Sequence, residues 1–226
     1  MPRFIATLLL VLSCGLARAD VVLEWADIGL GAARSSSPQT ASAPRALAGM
    51  HMAMLEAMNF IEGRYVPRYS IRLRTPLGVS SEAAGVSAAH RYLTLLYPSQ
   101  TDALNRALDQ SLMRMPGFES TSSAVVIGRT IGETVYALWR RQLSAEPGQG
   151  LELLDSYATA AKLVEARGLT PIESARLLAL VAIALSDMPP AQERDADLGA
   201  QAIVQPSARA RPPGANEALR YYAPAR

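Results

Sequence analysis

The chain is poor in the residues that do most protein chemistry. One cysteine, Cys14, occurs in 226 residues, and it lies in an apolar N-terminal stretch. A chain processed beyond that point would have no disulfide, no thiol nucleophile and no cysteine metal site. Two histidines, His51 and His90, are the only imidazoles, and Lys162 is the only lysine. Aromatic residues make up 6% of the chain, too few for the Tyr- and Val-rich strands of a β-sandwich. Charge of one sign is missing as well. The formal net charge is +2, and loss of Arg3 and Arg18 with a leader leaves 20 basic residues against 20 acidic ones. A neutral chain has no overall field to draw in nucleic acid or an anionic membrane, and no nucleic-acid partner is expected.

Hydrophobic residues are plentiful at 50%, and Ala and Leu dominate them. That composition favours helices packed through small side chains. Residues 1–19 read as a signal peptide, with Arg3, an apolar run from Phe4 to Leu12, and Ala17-Arg18-Ala19 before Asp20. The expected location is periplasmic or secreted. Acylation at Cys14 is the alternative processing route, although Leu12 is bulky for it. The run is too short for a permanent anchor, and no membrane span is expected elsewhere.

The expected fold class is all-α. Residues 20–188 form a single bundle of about six helices, and residues 189–226 form a disordered tail rich in Pro, Ala and Arg. The organising stretch is a helix over residues 45–62. Leu47, Met50, Met54, Met58 and Ile61 share one face of it, widened by His51 and Leu55. A shorter helix over 21–34 precedes it, with Trp25 as a packing anchor. Residues 65–79 carry two prolines and read as an extended, solvated crossing loop with Arg68, Arg72 and Arg74, next to Arg64. Further helices are expected over 81–97, from Ser99 to Met115, over 120–142 and over 151–167. Ala124, Gly128 and Gly132 lie four apart, which implies a close helix crossing. Thr170-Pro171-Ile172-Glu173 is a capping box. Behind it, Leu177 to Leu185 is apolar at nine consecutive positions, which places this helix at the bundle centre.

Three stretches carry a family resemblance: ALAGMHMAMLEAMNFIEGRYVPRY, PLGVSSEAAGVSAAHRYLTLLYPSQ and AAKLVEARGLTPIESARLLALVAIALSD. Together they resemble the helical N-terminal half of vanadium-dependent haloperoxidases, in the superfamily of the type 2 phosphatidic acid phosphatases. The likeness runs from about Val21 to Asp187 and implies an all-α bundle. In that family an oxyanion is held by a Lys, an Arg-Pro, a Pro-Ser-Gly-His segment and a later Arg and His, because a multiply charged anion needs converging cations. None of these transfers. Lys162 precedes the apolar helix, Arg211-Pro212 lies in the tail, Gln205-Pro206-Ser207-Ala208-Arg209 lacks the Gly and the His, and no histidine follows His90. The resemblance therefore implies a scaffold without its site, inactive alone and without a bound cofactor, in need of a homodimer mate or a second protein chain.

The remaining chemical readings are weaker than packing roles. His51 and His90 sit on apolar stripes, where the default is a core histidine bonded to a backbone group or a carboxylate. Met50-His51-Met52-Ala53-Met54 has copper-like donors but the spacing of a core, with Met52 pointing off the stripe. Glu56, Glu62 and Glu133 have no spacing that pairs them, so solvated or ion-paired roles are expected. Gly128 and Gly132 follow no strand and make no phosphate loop. No catalytic, cofactor-binding or metal-binding residue is assigned. A ligand-binding helical module remains the non-enzymatic alternative.

Overall fold

Helix-forming composition and well-placed breaks produce seven α-helices, α1 to α7, in the computed structural model, which describes residues 20–36, 42–74, 76–143 and 153–187. They are α1 (Val21–Ser35), α2 (Ala43–Glu62), α3 (Ser81–Leu96), α4 (Thr101–Met113), α5 (Phe118–Leu143), α6 (Leu154–Glu165) and α7 (Pro171–Ser186). A 3₁₀ turn, Pro98–Gln100, leads into α4. No strand occurs among the described residues, and the all-α expectation holds. The proposed signal peptide, the tail and the break at Pro147 to Gly150 lie outside the described residues. No helix among the described residues is long and apolar enough to cross a membrane.

Local chemistry sets the helix ends. Asp20 caps α1 by accepting the Val22 N–H at 2.9 Å, and Ser80 caps α3 by accepting the Ala83 N–H at 3.1 Å. Pro44 stands in the first turn of α2 and Pro171 begins α7, where a missing N–H costs nothing. Gly63 stops α2 in the left-handed region, φ 64°, and its N–H donates to the Asn59 carbonyl at 2.8 Å.

The centre of the bundle is α2, flanked by α1, α3, α5, α6 and α7. Every residue from Ala46 to Asn59 is buried, so the one-sided stripe expected for this helix is too narrow. Met52 is as enclosed as Met50, Met54 and Met58, contrary to the outward direction read from its spacing. Conversely, α7 is not enclosed on all sides. Leu178, Ala179, Ala182 and Ile183 are buried, whereas Leu177, Leu180, Val181 and Leu185 are only partly covered and Ala184 is exposed. An unbroken apolar run marks a helix with two apolar faces, and here only one of them is fully covered.

The most extensive helix pair is α3 with α5, and the small-residue groove makes it possible. A methyl group placed on Gly128 would lie 2.8 Å from Ser87 Cβ and 3.0 Å from the Ala84 carbonyl carbon. One on Gly132 would lie 3.0 Å from Ala88 Cα. The neighbours are backbone atoms and a Cβ fixed to the backbone, which cannot swing aside as the end of a long side chain can. Large aromatic groups fill the remaining volume. Trp25 is fully buried, and its indole N–H donates to Ser111 Oγ at 3.1 Å. Trp139 donates to the Arg45 carbonyl at 3.1 Å.

Alanine is about 1 kcal/mol better than glycine inside a helix, yet the crossing outweighs that gain. Gly128→Ala and Gly132→Ala should each lower stability by about 1–3 kcal/mol in urea unfolding. Gly31, in open space on α1, is the control, and Gly31→Ala should raise stability slightly. Equal effects at the three sites would show that the α3–α5 contact is not backbone-limited.

Candidate functional site

Two of the places that bring polar chemistry into or against the apolar core belong to α2. The first is His51, wholly buried at the middle of that helix. Its Nε2 shares a hydrogen bond with the Tyr157 hydroxyl of α6, 106 residues away, and the two rings lie 5.9 Å apart between centroids. The other nitrogen, Nδ1, has no partner among the described residues. The expected partner was a backbone group or a carboxylate; a phenol takes that place. Burial pushes His51 down to about 3, and burial together with the nearby Asp27 carboxylate pushes Tyr157 well above the usual phenol range. Neither group changes charge near neutrality. The pair links α2 to α6.

His90 differs. It is half-buried, its Nε2 lies 2.8 Å from Asn105 Oδ1, and its ring meets Trp25 edge-on at 6.4 Å. Burial lowers its pKa as well, partly offset by the Asn105 hydrogen bond. His51 and His90 therefore serve separate helix contacts and do not join in one constellation.

The second place is a cleft of about 550 Å³ at the C-terminal end of α2. Its wall on one side is the last two turns of α2, with Glu56, Asn59 and Phe60; Tyr65, Tyr69 and Ile71 form the other. Asn59 fixes the return of the chain through two bonds. Its Nδ2 donates to the Tyr65 carbonyl at 2.9 Å, and its Oδ1 accepts the Tyr65 N–H at 2.7 Å. Glu56 is 3% exposed and accepts the Arg68 N–H at 3.0 Å. This overturns the solvated half of its expected role: the carboxylate is enclosed, and an α2 side chain is used to hold backbone. Arg64 pairs with Glu173 at 3.1 Å, and Arg176 lies over the Tyr65 ring at 5.3 Å. The loop expected to be solvated is thus tied down at its base by α2 and α7. Arg72 and Arg74, further along, are exposed.

The other residues singled out by sequence are dispersed. Glu62 and Lys162 are exposed, and Glu133 pairs with Arg91 at 3.2 Å. No cluster of three or more metal-type side chains occurs among the described residues. Sequence reasoning missed Tyr157, Asn59 and Tyr65. A signal existed only for Asn59, which stands four residues before the terminating glycine and can reach the reversing chain.

The neutral His51 makes stability depend on acid. Its folded pKa, about 3, lies below the ordinary value of 6.5. Between those values the unfolded chain binds a proton that the folded chain refuses. Stability is therefore complete above pH 6.5 and falls as the pH drops toward 3, with His90 acting in the same direction. The loss through His51 should reach about 3 kcal/mol by pH 4.5. Urea midpoints at pH 7 and 4.5 measure it, and His51→Gln should flatten the difference. An unchanged pH dependence in that variant would show that other groups cause it.

Compared with known proteins, the chain matches no family model, no curated protein and no solved structure.

Proposed function

We propose that this chain is an exported, non-catalytic helical module related to the N-terminal half of the vanadium haloperoxidases and type 2 phosphatidic acid phosphatases, and that it works by holding a second protein chain or another copy of itself. The observation that supports it best is how the two histidines are used. His51 is sealed against Tyr157 and kept neutral, and His90 is bonded to Asn105. Oxyanion chemistry asks for an imidazole that faces an open pocket among converging cations. The arginine ion pairs instead stand at separate places: Arg34 with Asp155, Arg64 with Glu173, Arg91 with Glu133 and Arg114 with Glu24.

A second reading is a divided enzyme whose pocket another polypeptide completes. The half-covered stripe of α7 favours it. Leu177, Leu180, Val181, Ala184 and Leu185 recur three and four apart on the face turned away from α2, and such a stripe can receive a partner helix. The first reading can use the same stripe, and the two differ in what the assembly does.

Orthovanadate calorimetry separates them, together with peroxide-dependent halide oxidation and phosphomonoester hydrolysis assays. The purified chain should bind vanadate weakly at most and turn over neither substrate class above background. Micromolar vanadate binding lost in His51→Ala or His90→Ala would overturn the non-catalytic reading. Activity gained on adding a chain that carries a Pro-Ser-Gly-His segment would establish the divided enzyme.

A further inference from the structure

Beyond its fixed base, the segment that follows α2 becomes an arm on which Leu77 has no cover and Leu73 and Val66 are only partly covered, while Ile71 and Val79 pack against the core. Leu77 is fully exposed, and Val66 and Leu73 are 43% and 36% exposed. Arg72 and Arg74 stand exposed on either side of Leu73. No acidic residue occurs between Glu62 and Glu82. Gly78, at φ 74°, makes the turn beside Leu77. The other large exposed apolar side chains, Met113, Val126, Leu138 and Leu163, are dispersed over α4, α5 and α6. Nowhere else among the described residues do exposed leucines alternate with exposed arginines.

We propose that this arm seats the protein on an anionic lipid bilayer surface, with Leu73 and Leu77 entering the headgroup boundary and Arg72 and Arg74 meeting lipid phosphates. The inference is independent of the functional reading above. Its shape selects the partner. A projecting apolar residue flanked by cations suits an interface whose interior is apolar and whose surface is negative. Arginine stems can lie along the acyl boundary while their heads remain among phosphates. The chain as a whole is close to neutral, so attraction has to come from a local group of cations such as this one. The clamp made by Asn59 and the Arg64–Glu173 pair hold the base of the arm on the bundle, so its orientation is set before any membrane is met. The contact is peripheral, and with two leucines and two arginines it is weak and reversible.

Vesicle flotation tests this with the full chain, using phosphatidylcholine alone or with 30 mol% phosphatidylglycerol (an amount of about that size suffices to charge the surface). The wild type should float with the anionic vesicles, less so at high salt. Leu77→Ser should weaken binding about tenfold or more, and Arg72→Gln with Arg74→Gln about fivefold for each charge removed. All these positions are exposed, and circular dichroism should be unchanged. Leu77→Trp gives a local readout when the emission of the wild type, from the buried Trp25 and Trp139, is subtracted. Its emission should shift to the blue with anionic vesicles and be quenched by brominated lipid. Unshifted emission, or flotation equal in the wild type and all variants, would overturn the proposal. So would capture of the arm by poly-glutamate with no response to vesicles, which would point to an acidic protein surface.

Discussion

Everything else in this fold depends on enclosing α2. A helix surrounded on every side needs neighbours whose backbones come close, because long side chains at each interface would hold them too far apart. The chain meets that need with Ala46, Ala48, Gly49, Ala53 and Ala57 on α2 itself and with alanines and glycines on α3 and α5. Methionine fills what remains. Met50, Met52, Met54 and Met58 are all fully buried, and their unbranched side chains can adapt to irregular gaps that a β-branched residue would leave open. Gly85 of α3, for example, lies directly against Met58.

Complete enclosure makes any polar group on α2 a structural problem, and the solutions define the polar features of the molecule. His51 stays neutral and reaches Tyr157. Glu56 and Asn59, near the end where the enclosure opens, hold the backbone of the returning chain. That second use carries order outward: it turns a proline-containing segment into an arm with a defined base and an exposed tip. The buried centre and the exposed Leu73 and Leu77 are therefore linked through a few hydrogen bonds at one helix end.

Much of this was legible in the sequence, and the failures have a common cause. The helices, the capping box at Thr170 and Glu173, and the close crossing at Gly128 and Gly132 follow from local spacing and could be read directly. Ranking α2 against α7 could not. Nine consecutive apolar residues make Leu177 to Leu185 look central, while Glu56 and Asn59 make α2 look one-sided. Hydrophobicity counts apolar atoms and does not show how many neighbours will surround a helix. The partner of His51 was out of reach for the same reason, since Tyr157 lies 106 residues away and its own periodicity marks it only as core. The hydrogen bond from Arg68 to Glu56 joins a backbone N–H of an irregular loop to a helix side chain, a class of contact with no sequence signature.

The most direct test of the central claim is an imidazole NMR titration of the folded chain, following the ring signals of His51 and His90 from pH 8 to pH 4.5. A helix enclosed on all sides requires His51 to remain in its neutral form throughout, with one tautomer fixed by Tyr157. A His51 ring that titrates near pH 6.5 in the folded protein would mean that water reaches the middle of α2, and the enclosed-helix account would be wrong.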